Sequence, residues 1–240
     1  MDNFASIFND RHFSLALKNT LLFAFLTTLI KMVAGLFLAL ALHRSLKTRH
    51  ILRTVFYLPG VLSMVVIGIL FSALLRMDGM INEWLNWIGF GGAEIDWLGN
   101  PKIAMFSIIA SEVWRWSGFV MTVFLAGLQG IPKDYYEAAT IDGAGAKRRF
   151  LHITLPLLAP AFTVNLTMCI IGGFKVFEQV LVLTNGGPGY ATQVLNTIIY
   201  QTFSEGWLAK STAMELVLFA FIVVLTLIVS SLSRRREVEM

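Results

Sequence analysis

At 240 residues, with 56% hydrophobic and 14% charged side chains, the chain is too apolar for a water-soluble domain and has the composition of a multi-spanning membrane protein. Its net charge of +4 calls for no nucleic-acid partner. A lone cysteine, Cys169, excludes an intrachain disulfide, and neither it nor the four histidines have the spacing of metal ligands, so no metal site is expected.

Residues 1–19 carry acids near their start and lack a basic stretch followed by a cleavage site, so they read as an exposed lead-in rather than a secretory signal. A first span is expected at about residues 15–42. Lys31 lies near its middle, where a cation facing lipid costs about 2.5–3.5 kcal/mol, so it should face protein or water. A compact basic loop, residues 43–53, precedes a second span at about 55–75, which opens on Tyr57-Leu58-Pro59-Gly60. The polar loop that follows holds Trp84, Trp87 and Trp97, rings expected at a membrane interface. A third span, about 103–128, carries Glu112 and Arg115 one helical turn apart, a spacing that allows mutual neutralisation. A polar segment, about 129–156, separates it from a fourth span at about 157–183, where Lys175 and Glu178 repeat that spacing between Phe174 and Phe177. Asn185 to Gly189 is turn-forming sequence that must lie outside the hydrocarbon. The fifth span, about 213–232, ends in Arg234-Arg235-Arg236. The fold class expected is all-α, a polytopic membrane helix bundle forming one transmembrane domain over residues 1–240.

Lys and Arg counts set the orientation. The loop after the first span, the 129–156 segment and the tail hold 4, 4 and 3, while the lead-in, the 76–102 loop and the 185–210 loop hold 2, 2 and 1. The first set is therefore expected in the cytoplasm, which places the C-terminus there and the N-terminus outside.

The most informative stretch, residues 136–156, reads YEAATIDGAGAKRRFLHITLP. Pro132 can open a short helix because its missing N–H would be unpaired there anyway, and Asp134 and Glu137 fall near the positive end of that helix. Ala138 and Ala139 leave one side bare enough for another backbone to approach. Gly143 supplies the sharply turned residue where the helix must stop. Taken alone, such a segment is also compatible with an amphipathic connector lying on the lipid surface.

The spacing decides between them. Glu137-Ala138-Ala139, three residues, Gly143, nine residues, Ile153, one residue and Leu155-Pro156 resembles, at every fixed position, the EAA loop of binding-protein-dependent ABC importer permeases. That resemblance implies that residues 136–143 form a cytoplasmic coupling helix seated in a cleft of an ATPase subunit, with Tyr136, Glu137, Ala138, Ala139, Asp142, Gly143, Ile153, Leu155 and Pro156 as its residues. A looser likeness to the maltose-type sugar permease branch runs through Asp2-Asn3-Phe4, Leu17-Lys18-Asn19-Thr20, Tyr57-Leu58-Pro59, Gly79-Met80-Ile81-Asn82, Trp97-Leu98, the stretch from Thr184 to Gly189 and the terminal Arg-Arg-Arg-Glu-Val. Members of that branch usually have at least six spans, so the family's first helix is expected to be missing here.

The resemblance implies a carbohydrate or related polyol as cargo, a plasma (inner) membrane location in a bacterium or archaeon, and four kinds of partner: a second permease subunit, two ATPase subunits, an external substrate-binding protein and the lipid membrane. The chain has no G-x-x-x-x-G-K-[ST] phosphate loop, so it is expected to have no catalytic residue and to bind no cofactor, with ATP and magnesium held on the ATPase. Candidate residues for a cargo path are Glu112, Trp114, Arg115, Trp116, Asn165, Phe174, Lys175, Phe177 and Glu178, for which packing and internal charge neutralisation are the competing explanations. The alternatives are a permease for amino acids, phosphate or molybdate, and an intramembrane enzyme; against the latter, the spans contain no Ser/His pair, His-Glu-x-x-His or paired aspartates.

Overall fold

The structure is a computed structural model that describes Ile7 and residues 10–44, 46–90 and 94–234. Asp2-Asn3-Phe4 and the tail residues Arg235 and Arg236 lie outside the described residues. All regular structure among those described is helical, in chain order α1 (Arg11–His43), α2 (Arg49–Val61), α3 (Met64–Leu74), α4 (Met80–Leu85), α5 (Ala104–Gly130), α6 (Lys133–Ile141), α7 (Ala146–Leu157), α8 (Ala159–Phe174), α9 (Glu178–Leu183), α10 (Leu195–Ser204) and α11 (Leu208–Arg234). Helices α1, α5 and α11 are long and apolar enough to cross a membrane, and they occupy the stretches read as the first, third and fifth spans. At 1.5 Å per residue each exceeds a hydrocarbon core of about 30 Å.

The other two expected spans are interrupted. Residues 55–75 form α2 and α3, bent by 99°. The break is chemical: Ser63 is extended (φ −64°, ψ 150°), and its hydroxyl accepts from the Val66 amide, starting a new helix. Residues 157–183 are likewise discontinuous. Helices α7 and α8 meet at 62°, and α8 stops at Phe174, with α9 starting only at Glu178. Asn196 holds this second break open, its Nδ2 donating to the carbonyls of Phe174 and Val176 at 3.1 Å each and so pairing oxygens that a continuous helix would have used itself.

The chain divides into two compact units. The first comprises residues 1–27, 62–114 and 172–222. One of its cores gathers Phe23, Ile108, Val180 and Val194; another gathers Phe13, Ala16, Leu195, Ile198 and Met214. Polar pins join distant segments here. Asn19 Nδ2 donates to the carbonyls of Ala191 (3.1 Å) and Gln193 (2.9 Å), and Thr20 Oγ1 accepts from the Leu195 amide at 2.9 Å. Trp97 Nε1 donates to Asn82 Oδ1 at 3.0 Å, while Asn82 Nδ2 donates to the Met77 and Ile95 carbonyls at 2.9 Å. Trp87 is 83% exposed.

Lys210 Nζ meets Asp10 Oδ2 at 2.8 Å in this unit. Burial works to raise the Asp10 pKa, but the hydrogen bonds from Lys210 and the His12 amide and the Lys210 charge outweigh it, leaving the carboxyl below its ordinary range. A lowered carboxyl contributes stability that is present above its unfolded pKa and lost as pH falls through the folded one. The partly exposed pair contributes about 1 kcal/mol or less. The thermal midpoint of the wild type should therefore exceed that of Asp10→Asn slightly at pH 7, and the two should converge below the usual carboxylate range.

The second unit comprises residues 28–61, 115–171 and 223–240. Its core is built from Ala39 and Leu42 of α1, Val120, Met121, Phe124, Leu125 and Leu128 of α5, Leu158 just before α8 and Ala161 within it. Lys31 is 2% exposed, as expected for a cation that hydrocarbon would penalise.

Candidate functional site

In the second unit, Pro132 sits at the N-cap of α6 (φ −59°, ψ 140°), one position ahead of the first helical residue expected for it, and Asp134 falls in the first turn. The far end closes in a Schellman arrangement. The Ala144 amide donates to the Ala139 carbonyl at 2.8 Å and the Gly143 amide to the Thr140 carbonyl at 3.1 Å, with Gly143 left-handed at φ +74°. Glycine is required there because a Cβ is strained at that angle.

No residue of α6 is fully buried. Glu137, Ala138, Asp142 and Gly143 are exposed, and Ile141 is 87% exposed, an apolar side chain offered to solvent at the tip. Yet the helix is fixed at its base. Ile131 is buried in the unit's core and Tyr136 packs against that core. Tyr136 Oη and Thr154 Oγ1 share a hydrogen bond of 2.9 Å. Arg149 Nη1 donates to Thr140 Oγ1 at 2.8 Å, and that hydroxyl donates to the Tyr136 carbonyl at 2.7 Å. Ile153, Leu155 and Pro156 are half-buried on α7.

The motif thus separates into a presented surface (Glu137, Ala138, Asp142, Gly143) and a footing (Tyr136, Ile153, Leu155, Pro156), with Ala139 half-buried between them. Sequence reasoning missed Ile141 and the Thr140, Arg149 and Thr154 interlock. These residues occupy variable gaps of the spacing, so the pattern gave no signal for them.

The path candidates are dispersed. Glu112 is 5% exposed and its Oε2 accepts from Gln179 Nε2. Trp114 packs edge-on against Phe71 at 5.4 Å, and the Arg115 guanidinium lies over the Trp116 ring at 5.2 Å. Asn165 is wholly buried; its Nδ2 donates to the Val120 carbonyl at 3.2 Å, while Oδ1 has no partner among the described residues. Phe174 is buried edge-on against Phe221 at 5.2 Å. Lys175 and Glu178 do not share a helix face, because α8 ends before the first and α9 begins at the second; both are exposed.

Phe177 differs from the rest. With Asn196, Tyr200, Phe203, Thr212 and Glu215 it lines a groove of about 510 Å³ in the first unit. Its ring and that of Tyr200 are 5.4 Å apart, tilted by 58°. The sequence signal for this site was Glu215, a carboxylate inside the last apolar run. Among the described residues, no group of three or more His, Cys, Asp or Glu side chains could hold a metal ion.

The family described as "Binding-protein-dependent transport system inner membrane component" matches residues 31–238. The chain is 35% identical over 231 residues to the probable ABC transporter permease protein YurN of Bacillus subtilis (strain 168), covering 95% of this chain and 79% of that one. It is 37% identical over 238 residues to the arabinooligosaccharides transport system permease protein AraP of the same organism, covering 97% and 75%. Among solved structures it is similar, with a TM-score of 0.88 and 30% identity over 98% of this chain and 83% of the other, to a chain of a bacterial ABC transporter involved in the import of the acidic polysaccharide alginate.

Proposed function

Because the chain belongs to the family of inner membrane components of binding-protein-dependent transport systems, we propose that it is the permease subunit of an importer for a carbohydrate or related polyol. In this reading an external binding protein delivers the cargo, a second permease completes the path, and two ATPase subunits hold ATP and magnesium. The cargo class rests on the relatives that carry arabino-oligosaccharides and alginate. The cytoplasmic side is assigned to α6 and to the C-terminus by the excess of Lys and Arg there.

The observation that carries the coupling role is that α6 is exposed along its length yet tied at its base to the core and to α7. A helix so mounted transmits displacement instead of absorbing it. When ATP draws the two ATPase subunits together, each coupling helix moves with the cleft that holds it, and the spans change from inward-facing to outward-facing. The chain supplies the lever and the path, and the energy comes from its partner.

The test is assembly. The purified chain alone should bind no ATP, and it should copurify with a second permease and two ATPase chains. Stoichiometric ATP binding by the isolated chain would overturn the assignment. Orientation is checked by single cysteines: one at Thr140 should react only from the cytoplasm and one at Ala191 only from outside, and the reverse pattern would invert the topology. Probes at Ser45 and Gly92, expected inside and outside respectively, fall outside the described residues.

Gly143→Val should act through the backbone. A β-branched residue at φ +74° costs about 1–2 kcal/mol and opens the Schellman closure. Membrane level should be unchanged while ATPase association weakens by roughly tenfold, measured by titrating detergent-solubilised permease pair with the ATPase. Unchanged affinity would show that the end of α6 does not contribute to that contact.

A further inference from the structure

The groove of the first unit combines features that packing alone does not explain. Glu215 lies on α11, near the start of the apolar run of that helix, whose most apolar 18-residue stretch has a mean hydropathy of 2.7. It is exposed, and among the described residues its carboxylate has no hydrogen bond or ion pair. An ionised side chain within a span cannot be left against hydrocarbon, so this face of α11 must meet water, protein or a polar ligand. Thr212, three residues earlier, puts a hydroxyl on the same face.

Opposite them are aromatic rings. Tyr200 is 50% and Phe203 57% exposed, and the Tyr200 ring stands against that of Phe177. Phe177 is placed there by the break that ends α8, which Asn196 holds open. Both amide protons of Asn196 are committed to backbone carbonyls, so its Oδ1 is left as an acceptor.

We infer that this groove is a saccharide subsite on the external half of the path, and that Glu215 makes it selective for uncharged over acidic sugars. The inference rests on the importer reading above and deepens it. Aromatic faces match the C–H faces of a pyranose or furanose ring, while a carboxylate accepts two hydroxyl donors from one diol. The volume, about 510 Å³, suits a short oligosaccharide segment. Among the described residues no cation lines the groove, so a uronate carboxylate would meet there the like charge of Glu215. Selectivity is thus expected to be opposite in sense to that of a transporter for an acidic polysaccharide, although the two chains share their fold.

The experiment is equilibrium binding of pentasaccharides to the detergent-solubilised complex of both permeases and the ATPase, without binding protein. The probes are maltopentaose, cellopentaose, arabinopentaose and pentagalacturonate. The wild type should bind at least one neutral probe and bind pentagalacturonate at least tenfold more weakly. Tyr200→Ala should weaken neutral binding at least tenfold. Glu215→Gln, which replaces one of the two carboxylate acceptors by an amide donor, should weaken neutral binding and strengthen binding of pentagalacturonate, narrowing the discrimination between them. Binding of no probe, wild-type preference for the uronide, or unchanged neutral binding by Tyr200→Ala would overturn the subsite. Loss of the second permease from the complex in either variant would also overturn it, showing that the groove is a subunit contact. These outcomes are separable from failure of the importer reading, which would appear as absence of ATPase from the wild-type complex.

Discussion

Glu137→Lys should leave the chain in the membrane at its normal level and abolish both uptake and cargo-stimulated ATP hydrolysis. The side chain is exposed, and among the described residues it has no intramolecular hydrogen bond or ion pair, so nothing within the fold depends on it. Its neighbours on the same short helix, Ala138 and Ala139, carry no bulk that would hold a partner surface away. A protein cleft closing over α6 would desolvate the carboxylate, which therefore needs a basic partner. Reversing the charge leaves two like charges under that surface, and disrupting such a pair costs about 3–5 kcal/mol, at least a hundredfold in affinity. Membrane level, ATPase association and stimulated hydrolysis are to be measured on the same preparation. Normal hydrolysis and uptake would reduce this segment to a connector.

Gly118→Val should fail earlier, at folding. A Cβ on Gly118 would lie 1.9 Å from the Phe56 carbonyl oxygen and 2.5 Å from its carbon, atoms of the α2 backbone that cannot rotate aside. Helix α2 would have to withdraw from α5. Overpacking of this kind costs about 1–3 kcal/mol when side chains can yield, and here the obstacle is main chain. The expected readout is a several-fold loss of monodisperse protein after solubilisation. Gly130→Ala is the control, since a Cβ there meets nothing within 4 Å. Equal yields for the two variants would contradict the close approach of α2 and α5.

The contrast between these sites shows what the amino-acid pattern makes legible. The end of α6 could be read in advance because a Schellman closure requires a residue free of Cβ strain at one position, and Gly143 stands there. The long spans could be read because hydropathy over some 20 residues reports directly on membrane crossing. The breaks at Ser63 and after Phe174 could not be, since two bent helices and one straight helix have the same hydropathy. What opens the second break is Asn196, some twenty positions away in sequence. The groove was hidden for the same reason: Phe177, Tyr200 and Glu215 come from three separate stretches of chain, and only packing brings them together. Conversely, the family-like strings around Asn82 and Trp97 proved to be one feature, joined by the bond between their side chains.

The account stands on α6 being the surface that the ATPase covers, and Ile141 reports on that most directly. It is the large apolar side chain at the exposed tip, and a cysteine there disturbs no packing. In the assembled complex, Ile141→Cys should be shielded from a membrane-impermeant maleimide and should form a disulfide cross-link with an ATPase subunit carrying cysteines around its cleft; with the ATPase stripped away, it should label fully. Full labelling in the presence of bound ATPase, with no cross-link formed, would contradict the account.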